Sequence, residues 1–152
     1  MLYGSEIIDW EEKQILQFEI IQAKSLRTLL GADFQSNKGV LRLITGVESM
    51  KARFDFAKLN HFWKIWNSDP ESLLGELHSS GLKINLPQSY HNVISRILNK
   101  YGLPDPSGFT KTSYANVVKS RVWEVNIQDD IKEARSSKCG QSLLCHVGLG
   151  EV

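Results

Sequence analysis

The chain has 152 residues, with 18 Lys and Arg against 17 Asp and Glu, and so a formal charge of +1. Its 41% hydrophobic and 23% charged residues are typical of a folded globular protein and argue against wholesale disorder. No apolar run approaches the roughly 20 residues of a membrane helix, so we expect no membrane span. Two cysteines are too few for a disulfide framework and favour an intracellular protein, cytoplasmic or nuclear. The nearly balanced charge also argues against a free-standing, strongly basic nucleic-acid binder.

Apolar spacing, capping residues and breakers predict an all-α protein, an irregular bundle of about five to six helices. A wide apolar stripe on the first helix predicts packing on more than one of its sides. Asp69-Pro70-Glu71 has the pattern of a helix start, and Gly81 is expected to end that helix. The predicted helices span residues 9–30, 37–45, 48–66, 70–80, 88–101 and 112–134.

Domain organisation follows from the same pattern. We expect a single helical domain over residues 1–135, because that length is sufficient for one cooperative core. Residues 136–152 are rich in small side chains and are predicted to form a loose tail.

The cysteines do not form a recognisable metal site. Cys139 and Cys145 are separated by five residues, and no second Cys pair follows them, whereas tetrahedral zinc needs four ligands. Asp129 and Asp130 are the only adjacent aspartates, and the surrounding pattern places both on the solvent side of a helix. We therefore predict no metal, no cofactor and no catalytic residues.

Three histidines also lack the partners that catalysis requires. His61, His78 and His91 have no Cys, Ser or carboxylate at a spacing that identifies a catalytic pair. We expect them to be hydrogen-bonded or capping side chains.

Basic residues are concentrated in two stretches. Residues 83–121 contain six Lys and Arg and one acid, and residues 51–64 add four more interleaved with aromatic side chains. Cations of this kind neutralise phosphates, although a solvated helix surface over an aromatic core gives the same pattern. The candidate nucleic-acid contacts are Lys51, Arg53, Lys58, Lys64, Arg96, Lys100, Lys111, Lys119 and Arg121.

An ordered series of short motifs resembles the region after the palm in reverse transcriptases of non-LTR (LINE-type) retrotransposons. The resemblance covers residues 2–66 best. It is carried by Leu2-Tyr3-Gly4-Ser5-Glu6, Leu26-Arg27-Thr28-Leu29-Leu30-Gly31, Leu43-Ile44-Thr45-Gly46, Lys51-Ala52-Arg53 and Leu59-Asn60-His61-Phe62-Trp63.

The resemblance implies a thumb or connection-like piece of an RNA-directed DNA polymerase that lacks the fingers and palm. Asp129-Asp130 does not correspond to the catalytic pair of that family, which precedes the Leu-Tyr-Gly element. We therefore expect no catalysis by this chain alone, and weak, sequence-independent contact with RNA or an RNA–DNA duplex.

A second hypothesis is a helical protein-interaction module that docks through the aromatic helix 48–66. Its partner would be the polymerase palm or a second copy of the chain, and either would bind to an exposed apolar patch of this chain.

Overall fold

Seven helices make up the computed structural model, which describes residues 4, 6–84, 86–87, 89–146 and 148, excluding the side chain of Cys139. No strand occurs among these residues, and the all-α prediction is confirmed. The helices are α1 (Glu12–Leu30), α2 (Lys38–Thr45), α3 (Met50–Trp66), α4 (Leu73–Lys83), α5 (Tyr90–Tyr101), α6 (Lys111–Arg135) and α7 (Lys138–His146).

The predicted count of five to six helices is slightly too low. The additional helix is α7, which lies in the segment where a loose tail was expected. Parts of other predicted segments, including Leu2, Tyr3, Ser5 and Gln88, lie outside the described residues.

The helix ends follow local capping chemistry. Asn37 begins α2 by accepting hydrogen bonds from the backbone N–H groups of Gly39 and Val40. Gly31 ends α1 at a φ of 61°, a left-handed conformation that glycine adopts without strain. Because the capping residues specify these ends, the end of α1 and the start of α2 lie within one residue of their predicted positions, whereas α1 begins at Glu12 and not at residue 9.

Helix α4 begins later and ends later than predicted. Its N-cap is Ser72, whose hydroxyl accepts from the N–H of Gly75 at 3.2 Å, while Asp69 accepts from Glu71 within the preceding turn. Gly81 does not end the helix, which continues to Lys83. Its missing Cβ has a packing role instead, since a Cβ there would lie 2.5 Å from Cε1 of His91.

The chain folds into two compact units. Unit 1 comprises residues 1–10 and 53–122, and unit 2 comprises residues 11–52 and 123–152. The division falls within α3 and within α6, each of which is a continuous helix. The single domain expected over residues 1–135 stays a prediction.

Each unit has its own buried apolar side chains. In unit 1, Phe54, Leu59, Ile94 and Tyr114 are almost completely buried. In unit 2, a cluster forms from Val40, Ile131, Ala134 and Leu144.

The apolar stripe of α1 is only partly buried. Ala23 and Leu26 are buried, but Leu16, Ile20 and Leu29 are exposed. The expectation that this helix packs on more than one side is therefore wrong.

Two buried tyrosines of unit 1 differ in how their hydroxyl groups are satisfied. The Tyr114 hydroxyl has no hydrogen-bond partner among the described residues, and burial, assisted by Asp105, raises the pKa of Tyr114 to about 12. The Tyr101 hydroxyl donates to Oδ2 of Asp55 at 2.7 Å.

We expect Tyr114→Phe to stabilise the protein by about 1 kcal/mol, because it removes a buried hydroxyl that makes no hydrogen bond. Tyr101→Phe is the matched control and should cost about 1–3 kcal/mol, since it leaves the buried Asp55 carboxylate short of a donor. Urea unfolding of both variants measures the difference, and equal losses would contradict the assignment.

Candidate functional site

Two of the nine candidate basic residues bind carboxylates inside unit 1. Lys58 is buried, and its Nζ donates to Oδ1 of Asp9 at 2.7 Å. Nζ of Lys100 lies 3.0 Å from Oδ2 of Asp55 and 2.7 Å from the hydroxyl of Tyr101. These two cations are thereby neutralised. The remaining seven, all exposed, are Lys51, Arg53, Lys64, Arg96, Lys111, Lys119 and Arg121.

The exposed cations are distributed over several helix faces. Arg53 and Lys64 are eleven residues apart and share one face of α3, about 16 Å apart along the axis at the usual helical rise. Lys119 and Arg121 lie on opposite flanks of the buried row of α6, because successive residues turn by about 100°. Arg53, Lys64 and the candidate cations of α5 and α6 belong to unit 1, whereas Lys51 belongs to unit 2.

The aromatic side chains of α3 are used mostly inside unit 1. Phe54 and Phe62 are buried, and Nε1 of Trp63 donates to the carbonyl of Phe109 at 3.3 Å. These contacts make Phe62 and Trp63 packing residues rather than stacking platforms for bases. The docking of a palm or of a second copy on this helix stays a prediction.

Unit 1 also contains an apolar cavity of about 410 Å³ between α3, α4 and α5. Its aliphatic lining is accompanied by polar side chains that come from different helices. The lining residues are Ile7, His61, Ile65, Leu74, Leu77, His78, Gly81, Ile84, Ser89, Tyr90 and His91.

Two of the lining histidines are directly hydrogen-bonded to each other. Nδ1 of His78 lies 2.8 Å from Nε2 of His91. The aromatic side chains of Phe62 and Trp66 pack edge-on against this pair. Burial lowers the pKa of His91, and positive charge on His78 would lower it further. The geometry therefore favours an uncharged His91.

The other polar pair in the cavity is His61 and Tyr90. Nδ1 of His61 lies 3.3 Å from the Tyr90 hydroxyl, which donates to the carbonyl of Lys58 at 3.4 Å. Burial and the charge of Glu6 raise the pKa of Tyr90. Burial and Lys64 lower the pKa of His61, while Glu6 opposes that shift. The three histidines are thus hydrogen-bonded, as the sequence led us to expect.

Unit 2 contains a buried ionic cluster centred on Arg42. Its guanidinium donates to Asp130 at 2.7 Å, to Glu19 at 2.6 Å and to Glu133 at 2.9 Å. Nδ2 of Asn126 donates to the other oxygen of Asp130 at 3.0 Å. One guanidinium thus serves three carboxylates, and the ammonium of Lys38 lies 3.4 Å from Glu133. With two cations and three carboxylates, the ionised cluster carries one excess negative charge.

The position of Asp130 corrects the sequence analysis. Asp130 was predicted on the solvent side of its helix but is 2% exposed, because Arg42 supplies a counter-charge inside unit 2. Burial raises the pKa of the Asp130 carboxyl, and Glu133 and Glu19 raise it further, while Arg42 opposes the shift.

No group of three or more His, Cys, Asp or Glu side chains is arranged to hold a metal ion within the described part of the chain. Cys145 is exposed and free, and the side chain of Cys139 lies outside what the structure describes. Among the described helices, none is long and apolar enough to cross a membrane.

Comparisons with known protein families, with curated proteins and with solved structures gave no match. They neither support nor oppose the resemblance to retrotransposon reverse transcriptases.

Little in the sequence indicated the cavity or the ionic cluster. His78 and His91 are thirteen residues apart on different helices, a spacing with no associated motif. Arg42 and Asp130 are 88 positions apart and meet only after folding. Gly81 was the one local signal, and it was interpreted as a helix terminator.

Proposed function

We propose that this chain contacts the phosphate backbone of RNA or of an RNA–DNA duplex, as the resemblance to a post-palm polymerase segment implies. Its contribution is binding that does not depend on base sequence, and it has no catalysis of its own. Contacts of this kind give weak affinity, with Kd values of about 10⁻⁴–10⁻⁶ M at physiological salt.

One observation carries the proposal. Unit 1 exposes most of its candidate cations, and the stretch from α5 through the first half of α6 contains a single acid, Asp105. Because Lys58 and Lys100 already neutralise carboxylates, we assign the contacts to the exposed cations Arg53, Lys64, Arg96, Lys111 and Lys119.

Salt dependence distinguishes phosphate contacts from other binding. We expect the affinity for a fluorescent RNA–DNA duplex to fall steeply with salt, since each phosphate contact releases bound counterions. Arg96→Gln should lower the slope of log affinity against log salt by about one and should weaken binding equally for unrelated base sequences.

Lys100→Gln is the matched variant, one helical turn away on the same flank of α5. It should change the slope much less than Arg96→Gln, because its ammonium already neutralises Asp55. Lys24→Gln on α1 controls for loss of a positive charge elsewhere. Binding that ignores salt, or equal effects of all three changes, would refute the proposal.

A further inference from the structure

The apolar cavity of unit 1 has the dimensions of a small-molecule site. Its volume of about 410 Å³ falls within the roughly 300–1,000 Å³ that such sites occupy. Leu74 and Leu77 line it and are about half exposed, at 46% and 59%. A bound apolar molecule would cover part of this exposed surface and gain the free energy of its burial.

The imidazole pair determines which head group fits. If Nδ1 of His78 donates to Nε2 of His91, then neutral His78 has a lone pair on Nε2 and neutral His91 has an N–H at Nδ1. If the shared hydrogen belongs to His91 instead, these two roles are exchanged. In either case one outer nitrogen is a donor and the other an acceptor. Nδ1 of His91 lies against Gly81, which leaves Nε2 of His78, with no hydrogen-bond partner among the described residues, for a ligand.

A hydroxyl group matches Nε2 of His78 in either tautomer, because it can donate to a lone pair or accept from an N–H. A charged head group does not match, since no Lys, Arg, Asp or Glu is among the described residues that line the cavity. Burying an ion without a counter-charge is costly. The lowered pKa of His91 also favours the neutral form of that ring.

We propose that this cavity binds a small, mainly apolar and uncharged molecule with one hydroxyl group, which the His78–His91 pair recognises. The site does not depend on the proposed phosphate contacts, because none of the exposed cations assigned to them lines the cavity.

The test uses the full chain and three aromatic probes that differ only in their head group. Naphthol, naphthalenesulfonate and naphthylmethylammonium are titrated at neutral pH, and binding is followed by probe fluorescence. We expect naphthol to bind at least about tenfold more tightly than either ion, because an ion would lose its hydration in a cavity with no Lys, Arg, Asp or Glu among its described lining residues.

Paired tryptophan substitutions locate the binding. Leu77→Trp fills the cavity and should abolish naphthol binding, whereas Leu82→Trp on the same helix, outside the lining, should leave it unchanged. Helical circular dichroism and urea unfolding check that both variants fold.

Removing one imidazole tests the head-group assignment. His78→Phe should lower the naphthol affinity about tenfold, the equivalent of one hydrogen bond. In the unsubstituted protein, imidazole ¹⁵N chemical shifts of His78 and His91 should change when naphthol is added and stay unchanged with either ion.

Three results would overturn the proposal. They are tighter binding of either ion, loss of naphthol binding in Leu82→Trp but not in Leu77→Trp, and unchanged imidazole shifts on naphthol saturation. A fourth result would also reject the proposal: dimerisation that depends on protein concentration and is abolished by Leu77→Trp would show that this surface binds a second copy of the chain.

Discussion

Arg42→Met should be among the most destabilising single substitutions in this protein, at a cost of about 3–5 kcal/mol. The substitution retains most of the side-chain volume but removes the only guanidinium that serves Glu19, Asp130 and Glu133 in the described structure. Asp130 and Glu19 are almost fully buried, so the substitution leaves two poorly hydrated carboxylates without their counter-charge. Urea unfolding followed by helical circular dichroism measures the loss.

Lys132→Met is the matched control. Its ammonium lies 3.7 Å from Asp129, and both side chains of this pair are mostly exposed. Exposed pairs contribute little, so we expect a change of less than about 1 kcal/mol. Similar losses in Lys132→Met and Arg42→Met would show that burial does not determine the effect.

The pH dependence of Arg42→Met has a definite sign. Without Arg42, the folded-state pKa of Asp130 lies further above its value in the unfolded chain, since burial and two neighbouring carboxylates raise it. A carboxyl whose pKa is raised by folding contributes most stability below its unfolded pKa, and that contribution is lost as pH rises through the folded pKa. The deficit of Arg42→Met relative to the unsubstituted protein should therefore shrink as pH falls from neutral towards about 4.

A double-mutant cycle identifies the pair responsible. If the cost arises from the unpaired Asp130 carboxylate, then Asp130→Asn introduced with Arg42→Met should restore part of the lost stability. The two substitutions would then be strongly non-additive. Additive losses would mean that the cost does not arise from Asp130 but from the other carboxylates that Arg42 serves, Glu19 and Glu133.

Local chemistry explains which features could be predicted from the sequence. The end of α1 at Gly31 and the start of α2 at Asn37 depend on residues within one turn, and both were close to their predicted positions. The solvent-facing assignment of Asp130 failed because its partner, Arg42, is distant in sequence. Gly81 was misassigned for a similar reason, since its close neighbour is the ring of His91 on the next helix.

The same distinction applies to the candidate sites. Counting charges identified the basic residues but did not distinguish Lys58, which is buried against Asp9, from exposed Lys64. The cavity needs side chains from three helices, and no interval in the sequence specifies their meeting. Contacts between residues that are distant in the sequence are therefore the features of the candidate sites that only the structure could identify.

Helix α7 provides the second large expected effect. The segment around it is rich in small residues, yet Leu144 is 2% exposed and packs with Val40, Ile131 and Ala134. Gly140 permits this packing, because a Cβ at that position would collide with the backbone of Ala134. The apolar contacts of Leu144, and of the half-buried Leu143 beside it, therefore fix a helix that composition alone does not indicate.

We expect Leu144→Ala to destabilise unit 2 by about 2–5 kcal/mol, the usual cost of removing a buried leucine side chain and leaving a cavity. Cys145→Ala at the adjacent, exposed position should change stability by no more than about 0.5 kcal/mol. Urea unfolding gives the magnitudes, and amide hydrogen exchange of α2 and α7 shows where protection is lost. If Leu144→Ala were as mild as Cys145→Ala, α7 would not belong to the core, and the loose tail predicted for residues 136–152 would be the better description.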